Sequence, residues 1–336
     1  MTESLCLAAC SLDEIPSLQH LRLEKIYLSD NKLNSLDNLP IHLKYLDASY
    51  NKLYSDGILV PHPNLETLIL THNRIHLYNE DDLVMYYPSL KEINLTNNSV
   101  KEVGWARDTS LETLIVNENP IAVLCCLPVT LKKISAEACE IHMIQSRLPP
   151  SIESMFLAFN CLKFAGLPLS WSSTLRELHL DNNQIQRFPR NLPDSLCILT
   201  LNYNRIKELP SQLPASLTDL SICSNKLQYI PSYKKQFRIL LLDDNCLITL
   251  PKESIAQVLS TRYNWNESIF HDYQRKIRQC WKRYVFTLRL RHYKRTNKTK
   301  EELFTVSMMP ERWEQIDCLS SEWFRKNPTH NRIDHH

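Results

Sequence analysis

A chain of 336 residues, 43% hydrophobic and 23% charged, is long enough to bury a core of ordinary size, yet it holds only three glycines, Gly57, Gly104 and Gly166. Isolated glycines cannot supply a GxxxxGK(S/T) phosphate loop or a GxGxxG dinucleotide fingerprint, which argues against the common nucleotide-binding folds. The formal net charge of +2 is uneven: residues 251–336 carry 17 Lys and Arg against 10 Asp and Glu, a local +7, which leaves −5 for residues 1–250.

The N-terminal segment MTESLCLAACSL has an acid where a secretory signal is positive, and its apolar residues alternate, so it reads as structure rather than as an address. The longest apolar run, Ile121 to Leu131, contains Pro128 and falls short of the ~18 residues of a membrane span. Eleven cysteines between Cys6 and Cys318 show no paired spacing, and an odd number cannot pair fully. Reduced thiols in an intracellular protein are the simpler account.

From the first residues onward an eleven-residue pattern, L-x-x-L-x-L-x-x-N-x-L, recurs twelve times, with its N position at Cys10, Asn31, Asn51, Asn73, Asn98, Asn119, Cys139, Asn160, Asn183, Asn204, Asn225 and Asn245. The intervals lie between 20 and 25 residues. The alternating L-x-L predicts a short strand with leucines inward. The turn that follows buries backbone polar groups, which an Asn in every coil can pair by donating and accepting at once. Cys10 and Cys139 are expected to be small buried rungs of the same ladder.

The return half of the coil reads FPRNLPDSL at Phe188 to Leu196 and LPSQLPASL at Leu209 to Leu217. Two prolines in about ten residues forbid a regular helix there, so an extended or 3₁₀ convex side is expected, with Glu80 to Tyr87 the place for a helical insertion. This pattern is identified as the leucine-rich repeat, and it resembles the short LPxxLPxSL repeats of secreted bacterial effectors and of proteins from large DNA viruses. The resemblance implies a leucine-rich repeat solenoid over residues 1–252, of the α/β superhelix class, with a concave parallel sheet, a largely irregular convex side and a basic helical segment over residues 253–336.

In this family the exposed strand face is the usual binding surface, and the pattern places on it Tyr27, Tyr45, Asp47, Tyr50, Ile69 and His72, then Phe156 and Phe159, then His179, Asp181, Ile198, Tyr203, Asp219, Leu241, Asp243 and Asp244. Aromatics beside acids suit a protein partner, and Phe156 with Phe159 is expected to be an exposed anchor pair, the alternative being packing of Phe159 on a neighbouring coil. A catalytic reading would need His179, Asp181 and Cys223 to meet, but strand spacing keeps Cys223 two coils away. Neither a cofactor nor a metal is expected.

Beyond Leu247 the leucine rhythm stops; SIAQVLSTRY from Ser254 reads as helical, and a longer helix is expected over about 267–293, with Ile269, Tyr273, Ile277, Trp281, Tyr284 and Leu288 on one face. Between Arg275 and Lys300 lie eleven Lys and Arg and no acid, among them Lys276, Arg278, Lys282, Arg283, Arg289 and Arg291. The stretch KIRQCWKRY, Lys276 to Tyr284, resembles an IQ motif, with Arg278 where that motif has Gln, and so implies a calmodulin-like or other acidic protein as partner. A solvated end cap and a nucleic-acid or anionic-surface contact are the other readings of a basic amphipathic helix. The last residues resemble the short tails of proteins from large DNA viruses.

Overall fold

A three-residue strand has too few hydrogen bonds to stand alone, so each L-x-L depends on the strands beside it. The computed structural model describes residues 4–76, 85–103, 109–145, 147–247 and 255–262, all within the unit Met1–Lys276. In chain order the strands are β1 (Ser4–Cys6), β2 (Lys25–Tyr27), β3 (Tyr45–Asp47), β4 (Thr67–Ile69), β5 (Glu92–Asn94), β6 (Thr113–Ile115), β7 (Val123–Leu124), β8 (Lys133–Ser135), β9 (Met143–Ile144), β10 (Ser154–Phe156), β11 (Glu177–His179), β12 (Ile198–Thr200), β13 (Asp219–Ser221), β14 (Phe237–Leu241) and β15 (Ala256–Ser260). All but β7 and β9 join one thirteen-stranded sheet, parallel throughout, in which sequence neighbours are spatial neighbours. Strands β7 and β9 pair with each other on the return side.

The register puts apolar residue on apolar residue from coil to coil: Met155 faces Leu178, Leu178 faces Leu199, Leu199 faces Leu220 and Leu220 faces Leu240. These five are at most 1% exposed. The return segments are irregular apart from two short 3₁₀ turns, Asp56–Ile58 and Phe164–Gly166. Their glycines are required by contact: a Cβ on Gly57 would lie 2.0 Å from the Asn34 carbonyl oxygen, and one on Gly166 2.0 Å from that of His142. Two of the three glycines thus let a longer coil close on the backbone of the coil before it. Met85 and Tyr86 are helical, as the insertion suggested; residues 80–84 lie outside the described residues.

One expectation fails at Ser254. The segment read as helical forms β15, whose Val258 and Leu259 pair with Ile239 and Leu240. Ile255 and Leu259 stand four apart and mimic a helical face, but the open edge of β14 offers backbone partners that a helix would leave unpaired. The sheet therefore runs on past residue 252. The copy escaped the pattern because Ala256 and Thr261 stand where leucines are expected.

Each ladder Asn makes the same set of bonds. Asn183 Nδ2 donates to the carbonyls of Leu180 (3.1 Å) and Asp181 (3.2 Å) in its own coil and of Leu157 (3.0 Å) in the previous one, while its Oδ1 accepts the Leu162 amide at 2.9 Å. Asn204 repeats this on Leu201, Asn202, Leu180 and Ile185. At Cys139, 1% exposed, the thiol donates to Val116 and Glu137 but offers no amide oxygen. The Ile121 amide, which would otherwise reach that oxygen, turns back to the Asn119 carbonyl at 2.8 Å. Cys10 is not the buried rung expected; as a first-coil residue it is exposed.

The residue before every ladder position is left-handed. From Ala9 to Asp244 these twelve residues have φ between 53° and 60°, and none is glycine. This conformation aims the amide at the next coil: Phe159 N donates to Asp181 O at 2.9 Å, Tyr203 N to Cys223 O at 2.9 Å, and the other ten do likewise. A non-glycine residue held there costs about 1 kcal/mol or more, repaid by the inter-coil bond.

Seven positions before each ladder residue, charge alternates over eight coils: Glu24, Lys44, Glu66, Lys91, Glu112, Lys132, Glu153, Arg176. Lys44 reaches Glu24 at 2.8 Å, Lys91 reaches Glu66 at 2.8 Å and Lys132 reaches Glu112 at 2.9 Å. The Lys44 ammonium holds the Glu24 carboxyl below its ordinary range.

Two outcomes are expected. Asn183→Ala leaves the buried Leu162 amide unpaired and takes one donor from each of the Leu157, Leu180 and Asp181 carbonyls, and should cost about 2–3 kcal/mol, read as a lower and broader thermal transition. His62 is 1% exposed, and burial, partly offset by the Pro40 backbone, lowers its pKa from 6.5. A base with a depressed folded-state pKa binds its proton more readily when unfolded, so stability falls as pH drops below 6.5. His62→Phe should flatten that part of the stability profile; an unchanged slope would refute the assignment.

Candidate functional site on the sheet face

The outward residues of the strands, with the left-handed residue that follows, place the expected site residues in three groups. At the N-terminal end Tyr27 and Tyr45 meet with centroids 5.3 Å apart, and Tyr50 stacks on His72 at 4.2 Å. Asp47 turns inward along its own coil, accepting the Ser49 amide at 3.0 Å.

In the middle Phe156 stacks on His179 at 4.7 Å with planes 8° apart, and Lys133 Nζ lies 5.2 Å from the Phe156 centroid. Phe156 and Phe159 are half-buried rather than exposed, Phe156 because the His179 ring on the next coil covers it. His179 is held on both sides: Nε2 lies 2.9 Å from Glu177 Oε1 and Nδ1 lies 3.0 Å from Thr200 Oγ1. Thr200 in turn donates to Asp181 Oδ2. These contacts tie the Thr200 hydroxyl to two side chains of the neighbouring coil, His179 and Asp181. Cys223 does not join them; its amide donates to Asn202 at 2.7 Å and the residue is 5% exposed.

Asp181 belongs to a recurring device. Its Oδ1 accepts the Asn202 amide at 2.7 Å, Asn202 Oδ1 accepts the Cys223 amide at 2.7 Å, and Asn117 Oδ1 accepts the Glu137 amide at 2.8 Å. Asp243 accepts the Arg262 amide at 2.6 Å and the Ser260 hydroxyl at 2.7 Å. A carboxylate or amide two positions before the ladder residue thus clips the next coil, which makes Asp181 and Asp243 structural as well as surface residues. Ala158 interrupts this row between Glu137 and Asp181. Burial raises the pKa of both flanking carboxyls, and His179 draws Glu137 partly back.

Towards the C-terminal end Asp219 is buried and bound by two nitrogens of the Arg238 guanidinium. Tyr203 exposes 40% of its surface, but its hydroxyl is withdrawn towards Ser224, and burial pushes it up to about 12. Glu137, Glu177, Lys133 and Thr200 belong to the central group although the sequence reading singled out none of them; they sit at strand-face positions, so the repeat register was the signal that could have found them. The basic residues Arg275, Lys276, Arg278, Lys282, Arg283, Arg289 and Arg291 lie outside the described residues. No described group of three or more His, Cys, Asp and Glu side chains could hold a metal ion, and no described helix is long and apolar enough to cross a membrane.

No protein-family model matches the chain. Among curated proteins it is similar to osteomodulin, 23% identical over 180 residues in Mus musculus and 26% identical over 180 residues in Rattus norvegicus. Each match takes 52% of this chain but only 39% of that protein's length. Among solved structures, the leucine-rich repeat domain of APL1B superposes with a TM-score of 0.64 at 20% identity, over 77% of this chain and 81% of that one. YopM from Yersinia pestis gives 0.56 at 22% identity, over 77% and 88%. A chain of the octameric complex of Latrophilin 3, Unc5D and FLRT2, whose FLRT2 part is a leucine-rich repeat, gives 0.64 at 20% identity, over 77% and 90%. The fold is therefore the leucine-rich repeat solenoid.

Asp181 yields a direct check. Asn117 and Asn202 make the same clip with a neutral amide, so Asp181→Asn should fold normally and be as stable or more stable at neutral pH. The raised carboxyl pKa means the native state resists ionisation, so any gain is full above that pKa and disappears as pH falls to 3.8, the ordinary value. Denaturant midpoints at neutral and acidic pH measure it, and a large loss at both would show that the carboxylate itself is required.

Proposed function

We propose that this protein is a non-catalytic interaction scaffold that holds a protein partner on the concave sheet face, with Phe156, His179 and Tyr203 as its central anchor. The observation that carries this reading is the placement of four bulky rings, Tyr50, His72, Phe159 and Tyr203, on left-handed backbone. Glycine or asparagine would sit there at lower cost, and bulky residues in that region are uncommon. Aromatic side chains lose little freedom on binding and dominate interface energetics. The acids among them, Glu137 and Glu177, favour a partner with basic groups at its rim. The leucine-rich repeat neighbour in the Latrophilin 3 and Unc5D complex supports the general use of the fold.

The free thiols among the described residues support an intracellular setting. The LPxxLPxSL resemblance supports an effector or large DNA virus type of repeat, placing the protein in host cytoplasm or in a virion. A second reading, favoured by the eleven cations of residues 275–300, is a structural component whose basic segment contacts a calmodulin-like or other acidic partner, or nucleic acid.

With a partner captured by the full chain, Phe156→Ala and Tyr203→Ala should each weaken binding by about 2 kcal/mol, some thirty-fold, at unchanged melting temperature. Binding that survives both substitutions but collapses steeply with added salt would instead favour the basic segment.

A further inference from the structure

Away from the sheet face, the return segments of the Asn183, Asn204 and Asn225 coils enclose a groove of about 1180 Å³. Five cations line it, Arg187, Arg190, Arg205, Lys207 and Lys226, against two acids, Asp194 and Glu208, a balance of 5 − 2 = +3. Residues 1–250 as a whole carry −5, so this is a local reversal of sign. One of the two acids is engaged by backbone: Asp194 Oδ1 accepts the Ala215 amide at 3.2 Å. Among the described residues none of the five cations makes an ion pair.

Along the Glu24 to Arg176 row each coil answers its neighbour with the opposite charge, whereas Arg205 and Lys226, one position after successive ladder residues, set like charge beside like charge, as Lys32, Lys52 and Arg74 do at the same position near the N-terminal end. Parallel strands hold such positions ~5 Å apart, where like charges repel. Asp194 and Glu208 offset only part of the groove's positive charge, and a bound anion would offset the rest. Two of the cations are also held in advance, since the Arg187 and Arg190 guanidiniums lie over the Phe164 ring at 5.8 and 5.0 Å.

We infer that this groove is a second binding site, independent of the sheet face, which takes an extended acidic protein segment carrying apolar residues. The groove wall supplies prolines and leucines, Leu192, Pro210 and Leu213 among them, which are only half-buried and suit aliphatic side chains. It presents no free ring face for base stacking: Phe164 is covered by the two arginines and Phe188 is buried. Single-stranded nucleic acid would want such a platform.

The test uses the full chain and fluorescent peptides rich in Glu and Leu, with Gln-for-Glu peptides and labelled oligothymidylate as comparison arms. The expected result is binding of the acidic peptide, at least about ten-fold weaker for the Gln peptide and for oligothymidylate. Arg187→Glu with Arg205→Glu and Lys226→Glu should lower peptide affinity by about ten-fold or more, and the same positions changed to Gln should lower it less, with melting temperatures held. Arg278→Glu with Lys282→Glu and Arg283→Glu, in the basic segment of residues 275–300, should leave most of the affinity. Loss of binding in this second set with none in the first would overturn the site. Tighter binding of oligothymidylate would overturn the peptide assignment, and no binding of any probe by the full chain would overturn the proposal.

Discussion

Everything in this fold depends on one left-handed turn, made twelve times among the described residues and in all but the first followed by a side chain that bonds two coils at once. The left-handed residue aims its amide forward to the next coil, and the asparagine behind it reaches back to the previous one. Both neighbours are therefore fixed by adjacent residues. Strands of three residues become sufficient because the turn, rather than the strand, carries the connection between coils.

This dependence explains what the sequence made legible. The ladder could be read because a buried turn has few chemical solutions, and Asn is the side chain that donates and accepts in the needed geometry. The strand face was legible in register but not in exposure: that Phe156 would stack on His179, and Asp181 be occupied with Thr200 and Asn202, depends on pairs of residues two dozen or so positions apart. Position β15 was misread because Ala256 and Thr261 satisfy the strand without announcing the repeat, so the decisive partner was the vacant edge of β14. The scarcity of glycine also takes on a sharper meaning. Glycine is absent from the turns, where left-handed backbone would favour it, and appears at Gly57 and Gly166, where two coils touch too closely for a Cβ.

The two surfaces differ in how they are organised. On the sheet face polar groups are mostly satisfied from coil to coil, so a partner would meet rings whose positions are already fixed and carboxyls with little freedom to rearrange. On the return side the cations of the groove have no such internal partners, and their charge stays available. A face that is preorganised and a groove that is electrostatically unanswered suit different kinds of ligand, one recognised by shape and the other by sign.

The alternating row from Glu24 to Arg176 has a consequence for how such a chain can change its length. Coils are nearly interchangeable in backbone, so the solenoid has little else on its surface to count them by. Omitting or duplicating a single coil within that row would set Glu against Glu or Lys against Lys at the join, whereas doing so with two adjacent coils restores the alternation. The row thus works as a parity check on the stack, and it makes the pair of coils, about 42 residues, the natural unit in which this region could grow or shrink.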